Sequence, residues 1–492
     1  MDLINNLLLG FSSLAGWQPI LIIVAGVILG IIAGAMPGLS PSTAVALLVP
    51  FSYTMEPGMA LILLTSIYIA SNYGGSITAV LINTPGTPSA AVTTLDGYPL
   101  TQKGEAGKGL GTALVASTIG GAVGVLILIL FAVPLAKIAL QFSSADYFAL
   151  ALFGLATVAS MGSGNIAKAL IAILFGLLIK TIGIDPISGV SRFTFGMDEL
   201  YDGFNLIPAL IGLFAVSVVF AKVEEWKMGS KGLVEVSNKL PSFSEFWKIK
   251  MTILRSSVIG TIIGIFPGAG ATIASFISYD VAKRSSKTPE QFGKGSLEGV
   301  AAAEGANSSS VGGALVPLLA LGIPGSATDA VLLGAFMLHD LNPGPLLFRD
   351  SPEIVYGIFT SLILANIIML ILGLYGNRAF IKVVSVPAKI MYPMILAIAI
   401  IGSFAVNGSL FDVAACIGFG VIGWLFKRFG YPVAPVVLGI VLGKMIEENY
   451  RRAVMMHGYS SFFMDKVSLV MLSLAAISFI YPIIKQLRKK NK

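Results

Sequence analysis

The sequence predicts an all-α polytopic membrane protein with ~12 transmembrane segments, some of them broken or re-entrant helices. Three observations lead to this class. Of the 492 residues, 55% are hydrophobic and only 12% are charged, whereas a soluble domain carries about 25% charged residues. The 55 glycines and 24 prolines are many for simple spanning helices and indicate interruptions within the membrane. Uncharged runs long enough to cross a bilayer cover residues 3–55, 57–95, 109–136, 256–279 and 305–328.

The charge balance and the cysteine count argue against several other classes. The net charge is +7, but the basic residues lie in short loops and a tail, which favours membrane loops over nucleic-acid binding. The single cysteine, Cys416, excludes a disulfide within the chain and a cysteine-based metal site. The first lysine is Lys103, so the first span lacks the basic flank of a signal peptide, and we expect it to remain uncleaved.

The chain contains an internal repeat of its glycine and proline motifs. The matched positions are Gly30, Gly34, Pro37 and Gly38 against Gly260, Gly264, Pro267 and Gly268, then Pro85 and Gly86 against Pro324 and Gly325, then Gly183 and Pro186 against Gly430 and Pro432. An ordered series with slowly drifting offsets indicates duplication. We therefore expect a first membrane repeat over 1–221, a surface or interfacial linker over the charged stretch 222–250, and a second membrane repeat over 251–492.

The distribution of basic loops favours an inverted repeat. The carboxyl-terminal tail and the loop at 282–295 are strongly basic, so both are expected to face the cytoplasm. The first-half counterpart of that loop, around 54–58, contains no lysine or arginine. The basic linker and the uncharged amino terminus fit this arrangement less well, so a parallel repeat stays open as the alternative.

Four Pro-Gly breaks interrupt the uncharged runs, at 36–42, 83–89, 266–272 and 322–328. Proline removes a backbone donor and glycine permits positive φ, and such a break persists at membrane depth only against protein or a water-filled cavity. Four paired breaks are typical of a secondary transporter built from discontinuous helices. A packing kink is the alternative interpretation of any single break. Each restarting helix points N–H groups and a positive dipole end towards the site, which suits a carboxylate, while freed carbonyl and hydroxyl oxygens suit Na⁺.

Two further polar clusters, at 71–78 and 304–313, lie within the apolar regions. Serine and glycine there also serve ordinary helix packing, whereas a buried amide needs partners. The candidate residues for binding substrate or ion are Pro37, Gly38, Ser40, Ser42, Asn72, Ser76, Asn83, Thr84, Pro85, Gly86, Thr87, Pro267, Gly268, Gly270, Thr272, Asn307, Ser308, Ser309, Pro324, Gly325, Ser326, Thr328 and Asp329. We expect Na⁺, if it binds, near Asn83, Asn307 and Ser326. Glu304 and Asp329 either carry a proton, help to bind a cation, or lie at an interface.

Signatures of common enzymes are absent from the sequence. No Gly-Lys pair is followed by serine or threonine, and no serine has glycine at both flanking second positions, which excludes the phosphate loop and the hydrolase elbow. We expect no catalytic residues and no cofactor other than a coupling ion. The alternatives from other classes are an ion channel and an intramembrane enzyme, the latter lacking an evident nucleophile or carboxylate pair.

Four long segments of the chain resemble the large membrane subunit of the tripartite tricarboxylate transporter family. They are GAMPGLSPSTAVALLVPFSY, ASNYGGSITAVLINTPGTPSAAVTTLDGYPL, FPGAGATIASFISYD and LGIPGSATDAVLLGAF. The resemblance implies a bacterial inner-membrane carrier that takes up carboxylates such as citrate with Na⁺ or H⁺. It also implies two partners, a small four-helix membrane subunit and an extracytoplasmic solute-binding protein.

The resemblance assigns site-forming roles to Pro37, Gly38, Asn83, Pro85, Gly86, Pro267, Gly268, Pro324 and Gly325. Asp329 departs from the small or apolar residue that we expect in the family at that place, and an acid there would repel an anion unless protonated or cation-bound. From the number of hairpins we expect an elevator-like movement of the broken-helix core against a more static scaffold.

Overall fold

The computed structural model describes residues 3–161, 165–224, 240–268, 270–384 and 388–490. The helices of the first half are α1 Leu3–Ser13, α2 Trp17–Ala35, α3 Pro41–Ser52, α4 Pro57–Ile82, α5 Thr94–Gln102, α6 Ala106–Ala139, α7 Ser144–Met161, α8 Ile166–Lys180, α9 Leu206–Ile211 and α10 Ser217–Glu224. A π-helical turn, Gly212–Val216, joins α9 to α10. Two short strands, β1 Gly183–Ile184 and β2 Ser191–Arg192, pair antiparallel between α8 and α9.

The second half is also helical. Its helices are α11 Phe243–Ile265, α12 Gly270–Ser285, α13 Leu297–Leu321, α14 Ala327–Leu338, α15 Leu347–Asp350, α16 Pro352–Val384, α17 Ala388–Asn407, α18 Leu410–Arg428, α19 Val433–His457, α20 Ser461–Met464 and α21 Lys466–Lys490. The predicted linker at 222–250 lies largely outside the described residues. Its last part is helical, because α11 begins at Phe243 behind a capping box formed by Ser242 and Glu245.

Among the described residues, six helices are long and apolar enough to cross a membrane. They are Trp17–Ala35, Pro57–Ile82, Ala106–Ala139, Pro352–Gly376, Lys389–Asn407 and Leu410–Arg428. Shorter apolar helices accompany them, among them α3 and α14, which follow the first and the last break. The predicted class of an all-α membrane protein is confirmed.

Two long helices, α4 and α13, lie inside the molecule. In α4, 94% of the most apolar 18-residue window is buried, and α13 is buried continuously from Gly299 to Leu321. Both helices are rich in glycine, alanine and serine, whose small side chains permit close approach of neighbouring backbones. In the first half α2 packs on α4, and in the second α11 packs on α13.

Glycines set the spacing of these two helix pairs. A Cβ atom on Gly34 of α2 would lie 2.1 Å from the carbonyl oxygen of Ser71 on α4, and one on Gly264 of α11 would lie 2.4 Å from that of Ser310 on α13. Gly264 comes 230 residues after Gly34, and Ser310 comes 239 residues after Ser71. These are the offsets of the sequence motifs, so the same backbone contact occurs in both halves.

Helices of the two halves also pack against one another. First-half α6 lies on second-half α13, and second-half α16 lies on first-half α4. First-half α8 packs on second-half α19 through Gly176 and Gly439, while second-half α18 packs on the π-helical turn through Cys416 and Gly212. The polar positions of the two halves are therefore held within one continuous helical core.

Candidate functional site

The first two breaks meet at the end of α2. Here α2 ends at Ala35 and α3 begins at Pro41, with Pro37 and Gly38 between them. Gly38 has a φ of 93°, which a side chain would strain. The Ser40 hydroxyl accepts the Thr43 backbone N–H over 3.2 Å and so caps α3, and it lies 2.7 Å from the hydroxyl of Ser42.

The second break follows α4 and folds back onto it. Asn83 ends the helix in a left-handed conformation, at a φ of 55°. Gly86 donates its N–H to the carbonyl of Gly75 over 3.2 Å, and a Cβ on Gly86 would lie only 2.0 Å from the carbonyl oxygen of Gly34. Beyond Thr84, Pro85 and Thr87, a short 3₁₀ turn at Pro88–Ala91 takes the place of the restarting α-helix that the sequence led us to expect.

The third and fourth breaks are joined directly. After α11, Pro267 leads into Gly268, whose φ is 82° and whose N–H donates to the Gly325 carbonyl over 2.9 Å. Gly325, which follows Pro324, leaves no room for a side chain, because a Cβ would lie 2.9 Å from the Cα of Ala314 on α13. Ser326 then caps α14 by accepting the N–H of Asp329 over 3.2 Å. In each half, close backbone contacts therefore hold the two breaks near each other.

Polar contacts from α4 connect the halves. The Asn307 amide of α13 donates to the carbonyl of Asn72 over 3.2 Å. The Tyr68 hydroxyl lies 3.1 Å from the Ser326 hydroxyl in the fourth break. Tyr68 joins the candidate site although the sequence did not single it out, and it lies just before the polar run at 71–78 of α4.

Glu304 lies at the centre of a buried polar cluster. Its carboxyl group is fully buried and accepts hydrogen bonds from Thr93, from Ser117 over 3.1 Å and from Asn307 over 3.3 Å. No ion pair to Glu304 occurs within the described part of the chain. Thr93 and Ser117 were missed by sequence reasoning because nothing local distinguishes them from packing residues.

Several buried polar atoms have no hydrogen-bond partner among the described residues. They include both carboxyl oxygens of Asp329, the amide oxygen of Asn307 and the hydroxyl of Ser308. Asp329 is fully buried in the first turn of α14. Since a buried polar group without a partner is costly, these atoms are the places where an ion, a proton or a substrate would relieve an unmet requirement.

The remaining candidate residues do not all join this group. Asn83 and Thr84 are exposed, and no hydrogen bond joins the amide of Asn83 to that of Asn307 among the described residues. The hydroxyls of Ser76 and Ser309 bond to carbonyls three residues earlier in their own helices, as packing serines do. Gly270, with a φ of 57°, begins α12, in which Thr272 is half-buried, and Thr328 is buried in α14.

Comparison with known proteins decides the family. The model of the tripartite tricarboxylate transporter TctA family matches residues 20–438, a stretch that contains all four breaks. The chain belongs to this family. The resemblance predicted from the motifs is thus confirmed, and the TctA family is a family of tricarboxylate transporter membrane components, not an enzyme family.

Two proteins of Agrobacterium vitis are similar to this TctA family member. An uncharacterised 52.8 kDa protein in the TAR-I ttuC' 3' region is 40% identical over 453 residues, which cover 92% of this chain and 90% of that protein. An uncharacterised protein in the TAR-II ttuC' 3' region is 36% identical over 234 residues, which cover 47% of this chain and 97% of that protein. No solved structure matches the chain.

Proposed function

We propose that the chain is the large permease subunit of a three-component system that takes up carboxylates, driven by an ion gradient across the inner membrane. The substrate class we propose is citrate and related di- and tricarboxylates. The observation that carries the proposal is that the two breaks of each half lie close together, while Asp329 after the fourth break and Asn307 in α13 have buried oxygens without a partner, in a chain whose family is named for tricarboxylate transport.

The architecture proposed for this carrier has ~12 transmembrane segments in two inverted repeats. The support is the recurrence of one backbone contact, Gly34 on Ser71 and Gly264 on Ser310, at the sequence offsets of the repeat. Each half also provides a long buried helix and two paired breaks. Such a core would move in an elevator-like manner against the outer helices and expose the site alternately to each side.

In this proposal the substrate carboxylates are held by backbone N–H groups at the starts of α3 and α14 and by nearby hydroxyls. Helix amino termini favour anions, and the sequences of the four breaks contain no lysine or arginine. The coupling ion is Na⁺ or H⁺, and no other cofactor takes part. Na⁺ would bind near the unpaired oxygens of Asn307 and Asp329, with Ser326 beside the latter.

The partners we propose are a small four-helix membrane subunit and an extracytoplasmic solute-binding protein that delivers the carboxylate. The support is that the family is one of tripartite transporters. Helices with exposed apolar faces, such as α2 and α11, would meet lipid or the small subunit, whereas the binding protein would dock at the outer ends of the breaks.

Reconstitution tests this function directly. The chain is placed in proteoliposomes together with a candidate small membrane subunit and a candidate solute-binding protein from the same organism, and uptake of labelled citrate and other carboxylates is followed with an imposed Na⁺ or H⁺ gradient. Accumulation against the substrate gradient, present only while the ion gradient lasts, is the expected result. Flux that ignores the ion gradient would indicate a channel instead, and chemical conversion of the carboxylate would indicate an enzyme.

A further inference from the structure

A polar pocket is lined by none of the residues that form the four breaks. It has a volume of about 590 Å³ and opens between the first half of α11 and the segment 285–298 that leads into α13. Its cationic side chains are Lys248 and Arg255 from α11 and Lys287 from that segment. None of them belongs to the site proposed for transport.

Helix geometry gathers the basic groups of α11. Lys248, Thr252 and Arg255 are spaced by four and three residues, so they lie on one face of the helix. Thr252 donates to one oxygen of Glu298 over 2.7 Å, and Ser286 donates to the other over 2.6 Å. Glu298 thereby fixes the segment 285–298 against α11 and brings Lys287 to the same pocket.

The acids of the pocket are held by other groups. Glu245 forms an ion pair with Lys108 at 3.1 Å and accepts the Ser242 N–H. Within the described residues, no carboxylate lies in ion-pair distance of Lys248, Arg255 or Lys287. The pocket therefore offers three cations to a ligand from outside the chain.

An apolar stripe leads away from the pocket along α11. Met251, Leu254, Val258 and Ile262 are each between 45% and 67% exposed, and their spacing places them on one side of the helix. Trp247 is also exposed, and its ring lies 3.2 Å from the Lys250 ammonium, a combination typical of the membrane interface. A cluster of positive charge thus lies next to an exposed apolar surface, as the headgroup and acyl chains of an anionic phospholipid would require.

We propose that this pocket binds the phosphodiester headgroup of an anionic phospholipid, with the acyl chains along the stripe from Met251 to Ile262. Arg255 would hold the phosphate through two parallel hydrogen bonds, and Lys248 and Lys287 would add attraction at the surface. Arg255 is half-buried and has no acidic partner among the described residues, so a bound phosphate would supply the anion that its guanidinium lacks. Because α11 leads into the third break, the bound lipid would fix that helix against the bilayer.

Native mass spectrometry of the purified full chain tests the proposal. The protein is titrated with phosphatidylglycerol and, separately, with phosphatidylcholine, and the bound lipid is counted. Wild type should prefer phosphatidylglycerol at least tenfold, and Arg255→Gln, Lys248→Gln and Lys287→Gln should each lower its affinity about fivefold. Arg284→Gln is the matched control, because Arg284 is nearby and basic but is paired with Asp280 at 2.8 Å.

Three results would overturn the proposal. The first is equal binding of the two lipids. The second is an equal loss of phosphatidylglycerol affinity in Arg284→Gln and Arg255→Gln. The third is displacement of bound phosphatidylglycerol by inorganic phosphate at matched ionic strength, which would identify a soluble anion as the ligand. Should Arg255→Gln fail to fold, the exposed positions Lys248 and Lys287 carry the test. The outcome is independent of transport, since no uptake is measured.

Discussion

The amide of Asn307 links the two halves at one side chain. Its Nδ2 donates to the Asn72 carbonyl and to the Glu304 carboxyl group, while its Oδ1 is buried without a partner among the described residues. A side chain that makes two contacts and leaves one acceptor open is suited to a ligand that completes the set. Asn307 therefore belongs both to the packing between the halves and to the site that we propose for substrate or ion.

We expect Asn307→Ala to lower carboxylate uptake at least tenfold per folded molecule. The variant removes the open acceptor and one of the donors to Glu304, a loss on the order of 1–3 kcal/mol for a buried group. The matched control is Asn366→Ala, since Asn366 is also buried with an unpartnered amide oxygen, but its Nδ2 donates to Leu362 of its own helix and not to Glu304 or to the other half. Wild-type uptake in Asn307→Ala would refute the placement of the site, whereas loss in both variants would indicate a general packing effect.

Asp329 differs from Asn307 in that neither of its carboxyl oxygens has a hydrogen-bond partner of good geometry among the described residues, although Ser326 lies beside the carboxyl group. An uncompensated buried charge destabilises a protein, so Asp329→Asn should unfold at the same temperature as wild type or higher. We expect the variant to lose the dependence of uptake on the coupling ion. Ion-dependence curves check this, with Asp340→Asn, at an exposed acid beyond α14, as the control. A clear drop in unfolding temperature would show that the carboxylate has a stabilising partner.

Local sequence pattern located part of this residue group and missed the rest for a physical reason. Asn72, Asn307 and Asp329 stand out because polar side chains inside an apolar run need partners. Thr93 and Tyr68 do not stand out, because their partners lie 211 and 258 residues away along the chain. Only the folded chain shows that these hydroxyls face Glu304 and Ser326.

At the level of helices, close packing depends on glycines at matching positions of the two halves. We expect Gly34→Ala and Gly264→Ala each to reduce the yield of folded protein severely, because the added Cβ would meet a carbonyl oxygen at 2.1 Å or 2.4 Å, and backbone cannot yield as a flexible side chain can. Gly418→Ala in α18 is the control, since a Cβ there meets nothing within 4 Å. Size-exclusion profiles and thermal unfolding of the three variants provide the measurement. Equal behaviour of Gly34→Ala and Gly418→Ala would contradict the packing described for α2 and α4.

Ion pairs hold the β-hairpin between α8 and α9 against α19. Asp185 accepts the N–H groups of Ile187 and Ser188 and an Arg451 guanidinium group at 2.7 Å. The two backbone hydrogen bonds, followed by the arginine, hold the pKa of Asp185 well below its usual range. Arg192 on β2 reaches Glu447 of α19 at 2.6 Å, so the hairpin and the helix form one ionic network.

A depressed folded-state pKa means that Asp185 stabilises the protein above its unfolded pKa of about 3.9, and that this stabilisation disappears as the pH falls through the folded value. We therefore expect Asp185→Asn to unfold at a lower temperature than wild type at pH 7. The difference should shrink below about pH 4. Asp198→Asn, at an exposed acid of the same loop, is the control. A difference that does not change with pH would exclude the charge as its source.

At the scale of the whole molecule, composition and motif spacing were enough to predict the fold class and the positions of the four breaks. Few charges place the chain in a membrane, and the Pro-Gly pairs of the four predicted breaks each follow the end of a helix, whereas Pro57 and Gly58 begin α4. The packing of helices from one half on helices of the other was not predictable. The contacts of α6 with α13 and of α8 with α19 join surfaces that no local sequence pattern identifies as partners. Glycine marks these surfaces but does not indicate which partner helix it will meet.

Because helices of each half pack on helices of the other, we predict that neither half folds alone. The interior helix α13 of the second half is covered partly by first-half α6, and α4 of the first half is covered partly by α16. An isolated half would expose these small-residue faces, which are shaped for a helix and pack poorly against lipid chains. Fragments 1–231 and 232–492, divided within the charged stretch, should therefore be degraded when expressed singly and should recover a stable complex when expressed together. Blue-native electrophoresis and thermal unfolding of the tagged fragments give the measurement, with the intact chain as reference. A monodisperse, stable single fragment would contradict the interlocked packing and would leave each repeat as an independent folding unit.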